Sequence, residues 1–309
     1  MADLSSTAGT SRSGVISRIA PAKINLCLEI IGRREDSYHD ITSVMQTVDL
    51  HDTLTFARSV NDLLTLECDN PVLAAEGEDN LVLKAARLLR TAAGLDGKVG
   101  AHITLQKRIP LSAGLGGGSS DAAATLLGLR DLWGLKMRAS DLLELAEKLG
   151  SDVPYFLGGP TALVEGRGER VTRIPSPPPG WVVLVCPRYD LTGKTKKLYS
   201  ALTSSDMSEG IVTHRLIAAL VGGHFPDSSL LYNAFERVAY ELFEGLDRVR
   251  QKVAHAARSD VHLSGSGPTL YVLYPASQEG TASRLYDALV LEGLQVYLAR
   301  TTDDGRQTT

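Results

Sequence analysis

The chain has 309 residues, 43% apolar and 22% charged, with 32 Lys plus Arg against 36 Asp plus Glu. That usage excludes disorder as a global state, and the length leaves material for about two domains with a sizeable core. A net charge of −4 argues against a general nucleic-acid coat while leaving room for a local basic pocket, and no apolar run is long enough for a membrane span.

Residues 1–14 are rich in Ser, Thr, Gly and Ala without an apolar stretch, and are expected to be a disordered tail rather than a secretory signal. From Val15, VISRIAPAKINLCLEIIG predicts two strand runs meeting at Pro21 and turning at Gly32 into the polar loop RREDSYHD. ITSVMQTV, LHDTLTFAR and LLTLE follow as short strands, so antiparallel pairing comes before any long helix. After Asn80, Leu81, Ala85, Leu88 and Leu89 fall at helical spacing, with Gly94 as the stop. AHITLQKRI alternates as a strand up to Pro110. Beyond a glycine cluster, AAATLLGLRDLWGL is apolar nearly all round and predicts a buried central helix. Ser140 is the expected cap of DLLELAEKLG, and Ser151-Asp152 opens another turn.

Strand pieces in FLGGPTALVEGRGERVTRI lead to 175–179, where four prolines in five positions mark a linker. WVVLVCP is a buried strand. Helical segments around 212–221, 230–256 and 281–292 then alternate with strands at HLSG, TLYVLY and LQVYLA. The expected organisation is therefore an N-terminal domain over 15–175 and a smaller α+β domain over 180–300. Cys27, Cys68 and Cys186 form no C-x-x-C pair and lie in or beside strand-like runs, so they are read as free thiols in a reducing compartment.

The densest chemistry lies in PLSAGLGGGSSD, where Gly114, Gly116, Gly117 and Gly118 precede a strong helix. Glycines let successive N–H groups converge on an anion, the helix adds the positive end of its dipole, and Ser119 and Ser120 offer hydroxyls. The pattern fits a polyphosphate cradle. A turn with an ordinary cap is the alternative, but ordering four glycines costs more entropy than a cap needs. The cluster lacks the lysine of a Walker loop and the spacing of a dinucleotide fingerprint. A second cluster, LSGSGP at 263–268, is either another backbone nest or a tight bend. Together the two suggest loops closing on one ligand.

PAKINLCLEIIGRREDSYHD (21–40), PLSAGLGGGSSDAAATL (110–126) and LSGSGPTLYVLY (263–274) resemble the three motifs of the GHMP small-molecule kinases. The likeness runs from about Val15 to about residue 295. Tyr38-His39 and Ser151-Asp152-Val153-Pro154 resemble the branch acting on a cytidine diphosphate-linked substrate. The resemblance implies an α+β, two-domain GHMP kinase fold, its N-terminal part ribosomal-protein-S5-domain-2-like and its C-terminal part ferredoxin-like, with ATP and substrate meeting in the cleft. It implies Lys23 and Asp152 as the catalytic pair, with Asn25 on the same side of the strand as Lys23. Tyr38 and His39 would recognise cytosine, Tyr199 would stack on it, and Thr195, Gly265 and Ser266 would line the substrate pocket. Asn80 and Lys107 match contacts to the ATP adenosine, while Pro110, Gly114, Leu115, Gly116, Gly117, Gly118, Ser119 and Ser120 would take the phosphates.

The implied reaction transfers the γ-phosphoryl of ATP to the 2-hydroxyl of 4-diphosphocytidyl-2-C-methyl-D-erythritol, for isoprenoid precursor synthesis, with Mg²⁺ accompanying the nucleotide and no dedicated protein cage for it. A cytoplasmic monomer or homodimer is expected, with neither nucleic acid nor membrane as partner. The chain departs from the family at Ser37, where glycine is usual. The competing readings are a GHMP kinase for mevalonate, homoserine or a sugar, and a catalytically silent nucleotide-binding module. The Tyr38-His39 pair and Tyr199 speak against the first, because those substrates carry no base to stack.

Overall fold

A long antiparallel hairpin, β1 (Val15–Arg33) and β2 (His39–Arg58), is the spine of the molecule. The computed structural model describes residues 14–36, 38–189 and 193–303, so all of the expected 1–14 tail except Gly14, and the departure at Ser37, lie outside the described residues. The sequence predicts two strands meeting at Pro21, but β1 is continuous. Its ladder slips there instead, with Pro21 opposite His51 and Ala22 opposite Val48. Such a bulge accommodates the missing proline N–H and bends the pair without ending it. For the same reason the two runs expected after the hairpin turn are one strand, β2.

The elements that follow are β3 (Leu64–Cys68), α1 (Pro71–Ala75), α2 (Leu81–Ala92), β4 (Ala101–Gln106), α3 (Gly117–Trp133), α4 (Ala139–Leu149), the single turn α5 (Tyr155–Gly158), β5 (Thr161–Gly166) and β6 (Arg170–Arg173). β2 serves two neighbours along one edge: Ile41–Gln46 pair with β5, and Thr53–Arg58 pair with β4. β3 lies parallel beyond β4, and β6 closes the other side beyond β5. Helices α2 and α3 cover this sheet through Val82, Ala85, Leu89, Ala122, Leu126 and Leu129, which meet Leu54, Phe56 and Ile103 in one apolar cluster. At the start of α4 the expected cap is Ser140. The cap is instead Arg138, two residues earlier, with the helix starting at Ala139, and the Asp141 carboxylate accepts from the Arg138 backbone N–H, because a carboxylate in the first turn answers the free amides better than a hydroxyl does.

The second half runs β7 (Gly180–Val185), α6 (Lys194–Ala201), α7 (Ile211–Val221), β8 (Tyr232–Asn233), α8 (Glu236–Leu242), α9 (Leu246–Ala257), β9 (His262–Leu263), β10 (Leu270–Pro275), α10 (Glu279–Leu291) and β11 (Val296–Arg300). Its four-stranded antiparallel sheet has the order β11-β7-β10-β9. The proline-rich 175–179 stretch joins β6 of the first sheet to β7, the first strand of the second.

One reading changes in this half, and one unassigned segment gains a structure. The helical stretch expected over 230–256 is three elements: β8 adds parallel to β1 at Cys27 and Leu28, and Gly245, at φ +81, separates α8 from α9. Lys194–Ala201, which carries no strong helical pattern, folds as α6. The cysteines are free, with Cys27 and Cys186 buried and Cys68 half-buried. Burial pushes the Cys27 thiol up to about 12, so it is inert at neutral pH.

Candidate active site

The glycine cluster divides into a loop and a helix start. Gly114 and Gly116 hold positive φ values of +83 and +71, which a side chain would resist. Gly117, Gly118, Ser119 and Ser120 instead form the first turn of α3, so their amides are helix-terminal donors. A methyl on Gly116 would meet Phe156 at 2.9 Å and the Lys23 stem at 3.1 Å. The loop therefore closes directly over β1, and the Lys23 amide donates to the Leu115 carbonyl at 2.9 Å.

Lys23 and Asn25 lie two apart on β1 and share a face, as strand geometry requires. The Lys23 ammonium donates to Asn25 Oδ1 at 2.7 Å, and Asn25 Nδ2 donates to the Ser43 hydroxyl at 2.8 Å. Asp152, in the turn before α5, stands 3.5 Å from Lys23 Nζ. Lys23 is buried, whereas Asp152 is half-buried and open to a ligand. The expected catalytic pair is thus brought together from positions far apart in the chain, beside the glycine loop.

The second glycine cluster is the opposite wall. Ser264 Oγ donates to the Gly114 carbonyl at 3.1 Å, and a methyl on Gly265 would stand 3.2 Å from Lys23 Nζ. Thr195, on α6, donates to Ser266 Oγ at 3.1 Å. This side owes its order to two residues that sequence reasoning missed. Asn233, on β8, donates to the carbonyls of Leu263 and Gly265 at 2.8 and 2.9 Å. Lys194, on α6, donates to the carbonyls of Ser112 and Gly267. Neither residue stands in a recognisable motif. Lys194 carries only the weak signal of a lysine beside Thr195.

Lys107 and Asn80 are committed to the protein. Asn80 caps α2, its Oδ1 accepting from the Val82 amide at 2.9 Å. The Lys107 ammonium lies beneath Gly117 and donates to Asp52 and to Asp121, the latter at 2.8 Å. Desolvation opposes its charge, but the two carboxylates outweigh that and hold its pKa above the usual value. The Asp121 carboxyl is also raised above the usual carboxylate range, by burial and by Asp52, against the pull of Lys107. Ser120 Oγ and Asp121 Oδ1 are buried beside the glycine turn without hydrogen-bond partners. Orphaned oxygens beside a helix-terminal glycine turn suit a hard cation. Among the described residues no group of three or more His, Cys, Asp or Glu could hold a metal by itself.

The aromatic residues gather at the turn of the β1–β2 hairpin. Tyr38 is 59% exposed, its amide donates to Asp36 at 3.1 Å, and the Arg167 guanidinium stands 5.3 Å over its ring. His39 stacks on Tyr199 at 4.8 Å and 21°, and Phe235 meets the same tyrosine in a T-shaped contact at 4.9 Å. Desolvation and Arg33 lower the His39 pKa, which favours the neutral ring with one donor and one acceptor. The sequence reading leaves a face of Tyr199 open to a base, whereas the imidazole covers one face.

The glycine turn at a helix start, the lysine–aspartate pair beneath it and the second glycine loop beside it agree with the GHMP kinase class, and the GHMP kinases N terminal domain model matches residues 80–160. A 4-diphosphocytidyl-2-C-methyl-D-erythritol kinase from Dehalococcoides mccartyi is 38% identical over 93% of this chain and 98% of its own length. One from Pelotomaculum thermopropionicum is 40% identical over 84% of this chain and 89% of its own. The chain belongs to the 4-diphosphocytidyl-2-C-methyl-D-erythritol kinase family. A crystal structure of 4-(cytidine 5'-diphospho)-2C-methyl-D-erythritol kinase superposes with TM-score 0.75 and 34% identity, covering 93% of this chain and 99% of the other. The homoserine kinase of Cytophaga hutchinsonii, at TM-score 0.74 but 20% identity over 96% and 98% of the two chains, shares the fold.

Proposed function

We propose that this protein transfers the γ-phosphoryl group of ATP to the 2-hydroxyl of 4-diphosphocytidyl-2-C-methyl-D-erythritol. The observation that carries the reading is the 3.5 Å Lys23–Asp152 pair enclosed between the two glycine loops, in a chain whose relatives bear that kinase's name along nearly their whole length. Phosphoryl transfer asks for an oriented hydroxyl, a destination for its proton and donors for charge on the transferring oxygens. Asp152 receives the hydroxyl proton as the oxygen attacks. Lys23, fixed by Asn25, keeps the carboxylate aimed and offsets the charge developing on the phosphoryl oxygens. The amides of 114–120 hold the remaining phosphates. Ser120 Oγ, with Asp121 Oδ1, fits Mg²⁺, which would neutralise phosphate charge when bound.

The cytidine end goes to Tyr38, His39 and Tyr199, with Thr195 and Ser266 alongside. For a base to stack on the covered face of Tyr199, the His39 imidazole must swing aside, which frees its ring nitrogens for the cytosine edge. We take 15–175 as the nucleotide-binding domain and 180–300 as the second domain, supported by the linker between the two sheets, although β8 returns to the first sheet. The three free thiols agree with a cytoplasmic location. The test is ADP release with the diphosphocytidyl substrate, mevalonate and homoserine side by side. Turnover of the first alone is expected, and turnover of either of the others alone refutes the assignment.

A further inference from the structure

Lys194 is a buried lysine that the mechanism above does not use. It begins α6 and sends its ammonium between the two phosphate-side loops, donating to the carbonyl of Ser112 on one and of Gly267 on the other. Both acceptor residues are in the left-handed region, Ser112 at φ +52 and Gly267 at φ +65. For a serine this is a conformation that persists only when its surroundings impose it. The two loops are already in contact, since a methyl on Gly114 would stand 2.3 Å from the Ser264 carbonyl oxygen. Lys194 is the cation that holds those carbonyls to one point.

Its charge is not balanced by the described residues around it. Among the described residues no carboxylate pairs with it. The charged group that faces it from β1 is Lys23, which carries the same sign and is itself paired with Asp152. The neighbours on its own helix, Lys196 and Lys197, are exposed and also positive. A buried ammonium without a counter-ion is costly unless an anion completes the site, and the ligand expected in this cleft is a polyphosphate. Burial, with Lys23 adding to it, lowers the Lys194 pKa to about 8.

We propose that Lys194 is a positioning residue of the phosphoryl-transfer site: its protonated amine clamps the glycine loop to the 264–267 loop and is required for tight binding of the nucleotide. The proposal rests on the reading that this cleft takes the phosphates of ATP. Because binding and protonation are linked, the polyphosphate favours the charged amine and the neutral amine releases the polyphosphate.

The experiment is calorimetric titration of the full chain with Mg·ATP at pH 7, 8 and 9, in the wild type, Lys194→Arg and Lys194→Met, with thermal midpoints recorded to show that each variant folds. With a group near pH 8, the wild-type Kd should rise about tenfold between pH 7 and 9. Lys194→Arg, which stays charged, should be flat over that range. Lys194→Met should bind weakly at pH 7 and be equally insensitive to pH. A purely structural staple would lower midpoints and affinity without making the wild-type Kd depend on pH. A flat wild-type profile overturns the proposal, as does a wild-type slope retained in either variant. A wild type that binds no ATP at any pH refutes the reading of the cleft itself, a separate outcome.

Discussion

Substituting Gly114 by alanine should separate the architecture of the phosphate cleft from the stability of the fold. At φ +83 an alanine is strained by about 1–2 kcal/mol, the usual excess for a side chain in the left-handed region. The larger effect is steric. The new methyl would lie 2.3 Å from the Ser264 carbonyl oxygen and 2.9 Å from that of Gly267, both main-chain atoms that no rotamer change can move. Moving the first contact from 2.3 Å out to 3.4 Å drives the two loops apart by about 1.1 Å. A displacement of that size at groups that position reactants costs on the order of 10²-fold in rate, or about 2.7 kcal/mol of transition-state stabilisation.

The control is Gly134→Ala, at the C-terminus of α3. It has a similar positive φ of +67 but nothing within 4 Å of the added methyl. The thermal midpoint of Gly134→Ala should fall by roughly 2–8 °C, and that of Gly114→Ala, which adds the clash, by at least as much. Only Gly114→Ala should lose about 10²-fold in kcat/KM by coupled ADP release. If its kcat/KM stays within about threefold of the Gly134→Ala enzyme, the closely fitted loop pair is not what positions the reacting groups.

Asp152→Asn removes the proton acceptor while keeping its shape. Single-turnover phosphoryl transfer should slow by ~10²–10⁴-fold with ATP affinity preserved, and a rate within about twofold of wild type removes Asp152 from the chemistry. Tyr199→Ala should raise Kd for the cytidine substrate roughly 5- to 150-fold and leave that for ATP nearly unchanged, whereas Tyr199→Phe, which keeps the ring against His39 and Phe235, should be mild. Separate titrations with the two ligands check this, and equal losses for both would indicate a collapsed cleft instead. Asp206 is held well below the usual carboxylate range by hydrogen bonds from Arg237, aided by Thr203. A depressed folded-state pKa adds stability that is present above about pH 4 and is lost as the pH falls toward the folded value. Asp206→Asn should therefore lower the urea midpoint at pH 7 and shrink the drop seen between pH 7 and pH 3, and an unaltered drop would assign acid sensitivity to other groups.

Much of the site could be read along the chain because its signals are local. Glycine density before a helix reflects backbone torsions at Gly114 and Gly116 that other residues resist, and the two-residue spacing of Lys23 and Asn25 puts them on one face of any strand. Four prolines mark the passage between the sheets because none can extend a helix or a central strand. The trio proposed for the cytidine end was legible only through family resemblance. Nothing in the spacing of Tyr38, His39 and Tyr199 says that the second and third stack on each other.

What escaped the sequence depends on contacts between distant segments. Whether Pro21 ends a strand is decided by its partner, and a slipped ladder against His51 and Val48 lets β1 continue. Tyr232-Asn233 reads as part of a helix until β1 offers an open edge at Cys27 and Leu28. Asp152 becomes a base candidate in space only when its turn is laid beside β1, and the buried Lys107–Asp52–Asp121 cluster joins residues whose charges would repay no one in an unfolded chain. The sequence by itself determined the torsions, the periodicities and the residue types that phosphate chemistry requires. Only the tertiary structure decided which carbonyls Lys194 holds and which face of Tyr199 is covered, because burial and the pairing of polar groups belong to the assembled interior rather than to any stretch of chain.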